Sequence, residues 1–389
     1  VDGDNFYPVV AVGRFPVVRP DEVTAIVNKT IRYMTDPPAG AWRRDVMFIT
    51  DESEYFKQAS DEIATTLNHE GYSISKVYAS DKEADNLAHQ TEINKGLDDG
   101  QLLVHFIGHG GRYIWRTGPP DLRKNHDLFT LDDVAKLSNR DRLPMILSMT
   151  CYSAPFDNPF EDSIGERFLR EPDKGAVAVF AASWRNAPSA DFSKKLVNAL
   201  LTPGATIGEA IVKAKKDLSD RVLVEMYNLL GDPAVVLEHS PASLRVERGG
   251  DRWNRQLLVA MPSRRFEGTL TVDWLDANGD KLKSTNYQAN QSTLSLPIPM
   301  FAGLEPTEVR VYASDGGVHR DALGLLRLQP KAPPAAPVTT PDAGSVVATP
   351  VAKTPAAKPG AEPASTKPDP ASKGPDKTAP KAGKSTGAN

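Results

Sequence analysis

The chain is predicted to be an α/β protein. A three-layer α/β/α sandwich on a mostly parallel sheet comes first, then a small immunoglobulin-like β-sandwich, then a disordered tail. Three observations predict it. Over residues 1–240, short apolar runs alternate with amphipathic helical stretches, the pattern of successive βα units. Over residues 241–329 the apolar spacing drops to two, the period of strands with one buried face. From residue 330 to 389 there is no aromatic residue and 13 of the 32 prolines. Such a segment buries too little apolar surface to offset its ordering entropy and is expected to be an extended linker.

In the first region, strands are predicted over 8–15, 45–50, 73–79, 102–108, 145–150, 176–183 and 234–237. Several are apolar throughout, as expected of strands covered on both faces. Helices fit between them. Asp21 is placed to cap a helix carrying Val23, Ile26, Val27 and Ile31, and a second helix aligns Phe56, Ile63 and Leu67 before Gly71. Thr130 is placed to cap 131–137, with Asp132 and Asp133 at its positive end. Further helices fit 164–170, 192–201 and 207–218. Gly231-Asp232-Pro233 reads as a turn before the last strand. In the second region, strands are expected over 256–260, 268–275, 293–298 and 308–313. Asn278-Gly279 is a hairpin-turn signal before 281–283, and the set suits an immunoglobulin-like sandwich.

Composition narrows the function classes. The tail carries eight lysines against four acids, +4, so the formal −4 of the whole chain leaves −8 for residues 1–329. A body that acidic argues against a nucleic-acid groove. No stretch approaches the roughly 20 apolar residues of a membrane span. A single cysteine rules out an intramolecular disulfide and, with seven scattered histidines, gives no zinc-ligand spacing. Gly-x-Ser-x-Gly and phosphate-loop signatures are absent. Asp276-Ala277-Asn278-Gly279-Asp280 lacks the later bidentate acid of a calcium loop.

Two strand ends carry chemistry. The apolar run 102–108 leads into His109-Gly110-Gly111, and parallel sheets build sites at the carboxyl ends of their strands. Glycines there allow close backbone approach, and the Gly110 N–H is available to a developing oxyanion. The run 144–150 ends at Cys151, and Ser163-Ile164-Gly165-Glu166 follows as a helix start. A His or a helix N-terminus beside a thiol favours the thiolate. Singly, these are a turn histidine and a core cysteine; together, at the ends of two strands, they make a base and a nucleophile.

Several ordered motifs resemble the gingipain-like cysteine peptidases of the caspase-like group. They are Val10-Ala11-Val12-Gly13-Arg14-Phe15-Pro16-Val17, Gly108-His109-Gly110-Gly111, Leu131-Asp132-Asp133-Val134, residues 143–152 around Cys151, and Ser163-Ile164-Gly165-Glu166. Gly175-Ala176-Val177-Ala178-Val179, Ile207-Gly208-Glu209-Ala210 and Leu229-Leu230-Gly231-Asp232-Pro233 complete the set. The resemblance implies a caspase-like fold and a Cys151–His109 dyad working through a thioester. It also implies oxyanion donors at the backbone N–H groups of Gly110 and Cys151, and an immunoglobulin-like domain after a catalytic one. The family also has an earlier subdomain, and this chain is expected to begin after it. Asp51, at the end of the strand 45–50, is the expected third member that orients His109. His105 is expected in the core, and His69 and His126 at the surface.

The expected activity is therefore cysteine endopeptidase action on protein or peptide substrates. The resemblance implies a preference for Arg or Lys before the scissile bond. Asp121, Asp127, Asp157, Glu161 and Asp162 lie in loops that such a pocket would draw on, alongside their ordinary reading as surface acids. No cofactor is expected. The resemblance admits structural calcium, with no ligands assigned. It also implies a secreted or cell-envelope location, with attachment through regions outside this chain. Transpeptidation by the same site, and a non-catalytic adhesion or scaffold role, are the alternatives.

Overall fold

A computed structural model describes residues 6–328 except 81–85, 119–125, 239–241, 252–253, 262–265, 278, 280, 302, 304–305 and 316–320. The tail expectation for 330–389 and the position of Asp121 lie outside the described residues. Residues 1–331 make one compact unit.

The strands of its first part are β1 (Asp45–Thr50), β2 (Ser73–Tyr78), β3 (Leu103–Ile107), β4 (His109–Gly111), β5 (Ile114–Arg116), β6 (Asp127–Thr130), β7 (Met145–Met149), β8 (Ala178–Ala182) and β9 (Tyr227–Leu230). The helices are α1 (Pro20–Thr35), α2 (Glu54–His69), α3 (Leu87–Asp99), α4 (Leu131–Lys136), α5 (Ile164–Arg170), α6 (Ala190–Leu200), α7 (Ile207–Lys216) and α8 (Arg221–Met226). Six strands form the main sheet in the order β2-β1-β3-β7-β8-β9. All neighbours are parallel except β8 and β9.

Alternation of side chains across the pleat makes two cores. Val46, Phe48, Leu103, Met145, Leu147 and Phe180 pack on one face with α2, α6 and α7. Met47, Ile49, Val104, Phe106, Ile146 and Val179 pack on the other with α1, α3, α4 and α5. This is the three-layer α/β architecture expected, and both faces are covered, which is why the strands read as unbroken apolar runs.

Three local expectations need correction. Residues 8–15 form no strand: only Arg14 bridges to Leu230, and Val9, Val10 and Val12 are exposed. The apolar run lies along the outer edge of β9 instead of inserting into the sheet. The last strand precedes Gly231-Asp232-Pro233 instead of following it, and Val236 makes only an isolated bridge to Thr206. Asn228 interrupts the apolar pattern of β9, so β9 carries little periodic signal. Asp21 lies within α1, which starts at Pro20. Its N-terminus is held by Glu22, whose side chain accepts from the Val18 and Arg19 N–H groups at 2.8 and 3.1 Å. Thr130 does cap α4, in a reciprocal arrangement with Asp133. α3, α8 and the small antiparallel sheet β4-β5-β6 were not legible in the sequence.

The second part holds β10 (Ala242–Ser243), β11 (Arg245–Gly250), β12 (Arg255–Ala260), β13 (Gly268–Leu275), β14 (Lys281–Ala289), β15 (Thr293–Pro297), β16 (Glu308–Ser314) and β17 (Ala322–Arg327). They form two sheets, β10-β17-β16-β13-β14 and β11-β12-β15. The predicted hairpin pairs Leu275 with Lys281. Leu257, Val259 and Leu296 of one sheet meet Leu270, Val272, Trp274, Val309 and Val311 of the other in a shared core.

This β-rich part docks at the amino ends of β1 and β2. Arg43 and Asp321 form a fully buried ion pair at 2.8 Å, and Tyr312 donates to the same carboxylate at 2.6 Å. Arg310 donates to the carbonyls of Tyr72 and Asn68. The small β4-β5-β6 sheet follows β3 at the opposite, carboxyl edge.

Candidate active site

Strand order decides what meets at that carboxyl edge. β3 lies between β1 and β7, so Asp51, His109 and Cys151, each at or just past the end of one of these strands, become neighbours. His109 follows β3 by one bend residue and opens β4, whose hairpin with β5 pairs His109 with Arg116.

Asp51 is fully buried. Its Oδ2 lies 2.6 Å from His109 Nδ1 and accepts the His109 backbone N–H at 3.1 Å. Its Oδ1 accepts the Ser53 N–H at 2.9 Å. Nδ1 is held against the Asp51 carboxylate, and Nε2 is the ring nitrogen that Asp51 does not engage. The imidazole side chain is 53% exposed.

Two glycines make the approach possible. A Cβ on Gly108 would sit 2.9 Å from Asp51 Cβ and Cγ. A Cβ on Gly110 would sit 2.7 Å from the Thr150 side chain. Both distances are below what packed carbon atoms tolerate, so glycine here is a condition of the Asp51–His109 contact and of the close crossing between the His109 hairpin and the end of β7.

Cys151 is half-buried. Its thiol donates to the Gly110 carbonyl at 3.5 Å, which places the sulfur against the residue that follows His109. Tyr152 has a left-handed backbone, φ 55°. Its N–H donates to the Trp184 carbonyl at 3.1 Å, and the Ala154 N–H donates to Ala182 at 2.9 Å. Below the loop, Trp115 Nε1 donates to Ser148 Oγ, which contacts Ser153 Oγ, both at 2.8 Å. Of the two neighbours that would favour a thiolate, a His or a helix N-terminus, the first amides of α5 are engaged elsewhere. Those of Ile164 and Gly165 donate to the carbonyls of Arg112 and Ser153, and that of Glu166 to the Ser163 side chain.

The other sequence candidates divide. His105 is buried in the core, and burial pushes its imidazole down to about 3; it remains neutral. His126 is half-buried, with Nδ1 3.0 Å from Thr117 Oγ1, not at the surface; the His69 side chain is outside the described set. Asp157 pairs with Arg112, Asp162 with Arg170, and Glu161 accepts from Tyr113 and Asn158. Asp127 belongs to β6 and is half-buried. Sequence reasoning gave no role beside His109 and Cys151 to Arg112 and Trp115, and named Gly108 only within a motif. Their signals, an Arg directly after a glycine pair, a Trp in a polar loop and a glycine at a strand end, are too common to stand out. A cavity of about 320 Å3 lined by Phe156, Lys215 and Asn228 lies beside β9, away from the thiol. Among the described residues no group of three or more His, Cys, Asp or Glu side chains is placed to hold a metal, and none of the helices is long and apolar enough to cross a membrane.

A sequence model described as Peptidase family C25 matches residues 1–238. The chain is similar in fold to the Arg-specific cysteine proteinase gingipain R (RgpB), at 18% identity and a TM-score of 0.53, covering 83% of this chain and 77% of that one. It is equally similar to RgpB in the complex of pro- and mature domains from Porphyromonas gingivalis, at 17% identity and a TM-score of 0.53, covering 83% and 78%. A further structure titled only as a protease matches at 16% identity and a TM-score of 0.50, covering 84% and 76%. No curated protein matches.

Proposed function

The chain belongs to peptidase family C25 and is a cysteine peptidase; from that premise we propose that it is an endopeptidase whose nucleophile is Cys151, whose acid and base is His109, and whose orienting carboxylate is Asp51. The observation that carries this is the order β1-β3-β7, which sets a buried carboxylate against one nitrogen of an exposed imidazole and the lone thiol beside the same hairpin.

In the proposed reaction His109 Nε2 takes the Cys151 proton as the sulfur attacks a peptide carbonyl. The negative oxygen is received by the backbone N–H groups of Gly110 and Cys151. The intermediate collapses to a thioester, and the leaving amine departs with the proton from Nε2. Water then attacks the thioester while His109 accepts its proton, releasing the carboxylic acid and the free thiol. Asp51 fixes the ring and stabilises the imidazolium that forms between the steps.

We place substrate preference after a basic residue as an expectation of the family alone, since Asp157, Glu161 and Asp162 are each engaged by partners of this chain. The strand order of the C-terminal sandwich supports an immunoglobulin-like reading: β13, β14, β16 and β17 share one sheet and β11, β12 and β15 the other. A secreted or envelope location is proposed on family grounds.

The test is alkylation of the full chain with iodoacetamide at neutral pH, together with cleavage of a mixed peptide library. Fast alkylation that His109→Ala abolishes, and cleavage that Cys151→Ala abolishes, are expected. An alkylation rate equal to that of an ordinary thiol and indifferent to His109 would sink the assignment.

A further inference from the structure

Arg112 stands two residues beyond the Gly110 whose N–H is assigned to the oxyanion, yet it faces the Cys151 loop. Its side chain is only 10% exposed. One guanidinium nitrogen donates to Tyr152 Oη at 3.1 Å and to Asp157 Oδ1 at 2.5 Å. The other donates to the Glu161 carbonyl at 3.3 Å. The guanidinium also lies over the Tyr152 ring, 5.3 Å from its centre. The backbone continues the link, because the Ile164 N–H donates to the Arg112 carbonyl at 2.6 Å. One residue of the His109 hairpin thus holds the Cys151 loop at its first, middle and last thirds, and holds the start of α5 as well.

The first of these holds bears most directly on the nucleophile. Tyr152 is the residue bonded to Cys151, and its left-handed φ of 55° is a conformation that a bulky L-residue keeps only when its surroundings over-determine it. The surroundings that do so are Arg112 at the hydroxyl and ring face, and Trp184 edge-on at 5.4 Å with its carbonyl on the Tyr152 N–H.

We propose that Arg112 is a positioning residue. Its fork locks the loop that begins at Cys151 to the hairpin that begins at His109, so that thiol and imidazole keep one relative placement. The inference rests on the Cys151–His109 reading given above. It also accounts for the acids of this loop: Asp157 serves the lock and is not left to receive a basic substrate side chain. A lysine cannot replace this arginine, because its single point charge lacks the planar fork that reaches a hydroxyl, a carboxylate and a carbonyl together.

The experiment is a double-mutant cycle on the iodoacetamide alkylation rate of Cys151 in the full chain, with circular dichroism melts to confirm folding. Arg112→Met is expected to slow alkylation about 10- to 100-fold, the effect of a misplacement near 1 Å. In the His109→Ala background the same change is expected to slow it by less than about twofold, since the placement it protects no longer matters. Arg112→Lys is expected to match Arg112→Met within about threefold. A wild-type rate in Arg112→Met, equal slowing in both backgrounds, or full recovery by lysine would each overturn the proposal. Should Arg112→Met not fold, Tyr152→Phe removes one oxygen only. It is expected to slow alkylation about three- to tenfold, again only when His109 is present, and an unchanged rate or equal slowing in both backgrounds overturns the proposal. Failure of the underlying dyad has a different signature: His109→Ala alone would leave the wild-type rate unchanged.

Discussion

Adding one methyl group at Gly108 should disable the site while leaving the fold in place. The backbone there is not in the left-handed region, so alanine meets no conformational penalty. Its Cβ would, however, lie 2.9 Å from Asp51 Cβ and Cγ and 3.0 Å from Oδ2, against the 3.4–4 Å of ordinary contact. The deficit is at least about half an ångström, and Asp51 has little freedom to absorb it, being buried and hydrogen-bonded to Ser53 and His109. The 2.6 Å contact to His109 Nδ1 is then stretched or tilted out of hydrogen-bond geometry. Misplacement of catalytic groups by about 1 Å costs on the order of 100-fold, so a kcat lower by about 10- to 100-fold with KM little changed is expected. Overpacking of this kind costs about 1–3 kcal/mol of stability, too little to unfold the chain. The assay is kcat and KM on a cleaved library peptide, with Cys151 alkylation as a readout free of substrate. Gly111→Ala is the control, since its Cβ would meet nothing nearer than Ile114 Cγ2 at 3.9 Å. If Gly108→Ala keeps the wild-type kcat within twofold, Asp51 does not orient His109 and the three-residue site is wrong.

Two further outcomes concern the docking of the β-rich part. Asp321→Ala leaves the Arg43 guanidinium buried without its carboxylate and removes the acceptor of Tyr312; a loss of about 3–5 kcal/mol is expected in denaturant unfolding. A loss below about 1 kcal/mol, the scale of an exposed pair, would show that this contact does not hold the two parts together. Asp45, at the start of β1, is pushed up to about 7 by burial, with Asp273 and Asp99 adding to the shift and Lys281 and Ser73 opposing it. The folded state therefore binds a proton that the unfolded state has released between about pH 4 and 7. That stabilisation is complete below pH 4 and is lost as pH rises to 7, so Asp45→Asn should gain about 1–3 kcal/mol on wild type across this window. Parallel pH–stability curves for the two proteins would contradict it.

The sequence by itself determined the features whose signal is carried by near neighbours in strong, regular patterns. Continuous apolar runs gave the buried strands, because residues covered on both faces need no polar alternation. The change of period near residue 241 gave the β-rich part, and Thr130 with Asp133 and Ser163 with Glu166 marked helix starts through contacts three residues apart. His109 and Cys151 were legible because each follows its own strand directly. Only the tertiary structure decided which strands lie side by side. Asp51 and His109 are 58 residues apart, and nothing local records that β3 runs between β1 and β7. The same non-local placement made Gly108 indispensable, took Asp157 and Asp162 into ion pairs, and assigned the sixth strand to Tyr227–Leu230, where one edge pairing and not periodicity holds four residues extended. The His and Cys at two strand ends were therefore written in the chain. Their carboxylate, their spacing and the arginine across them arise from how the strands are ordered in space.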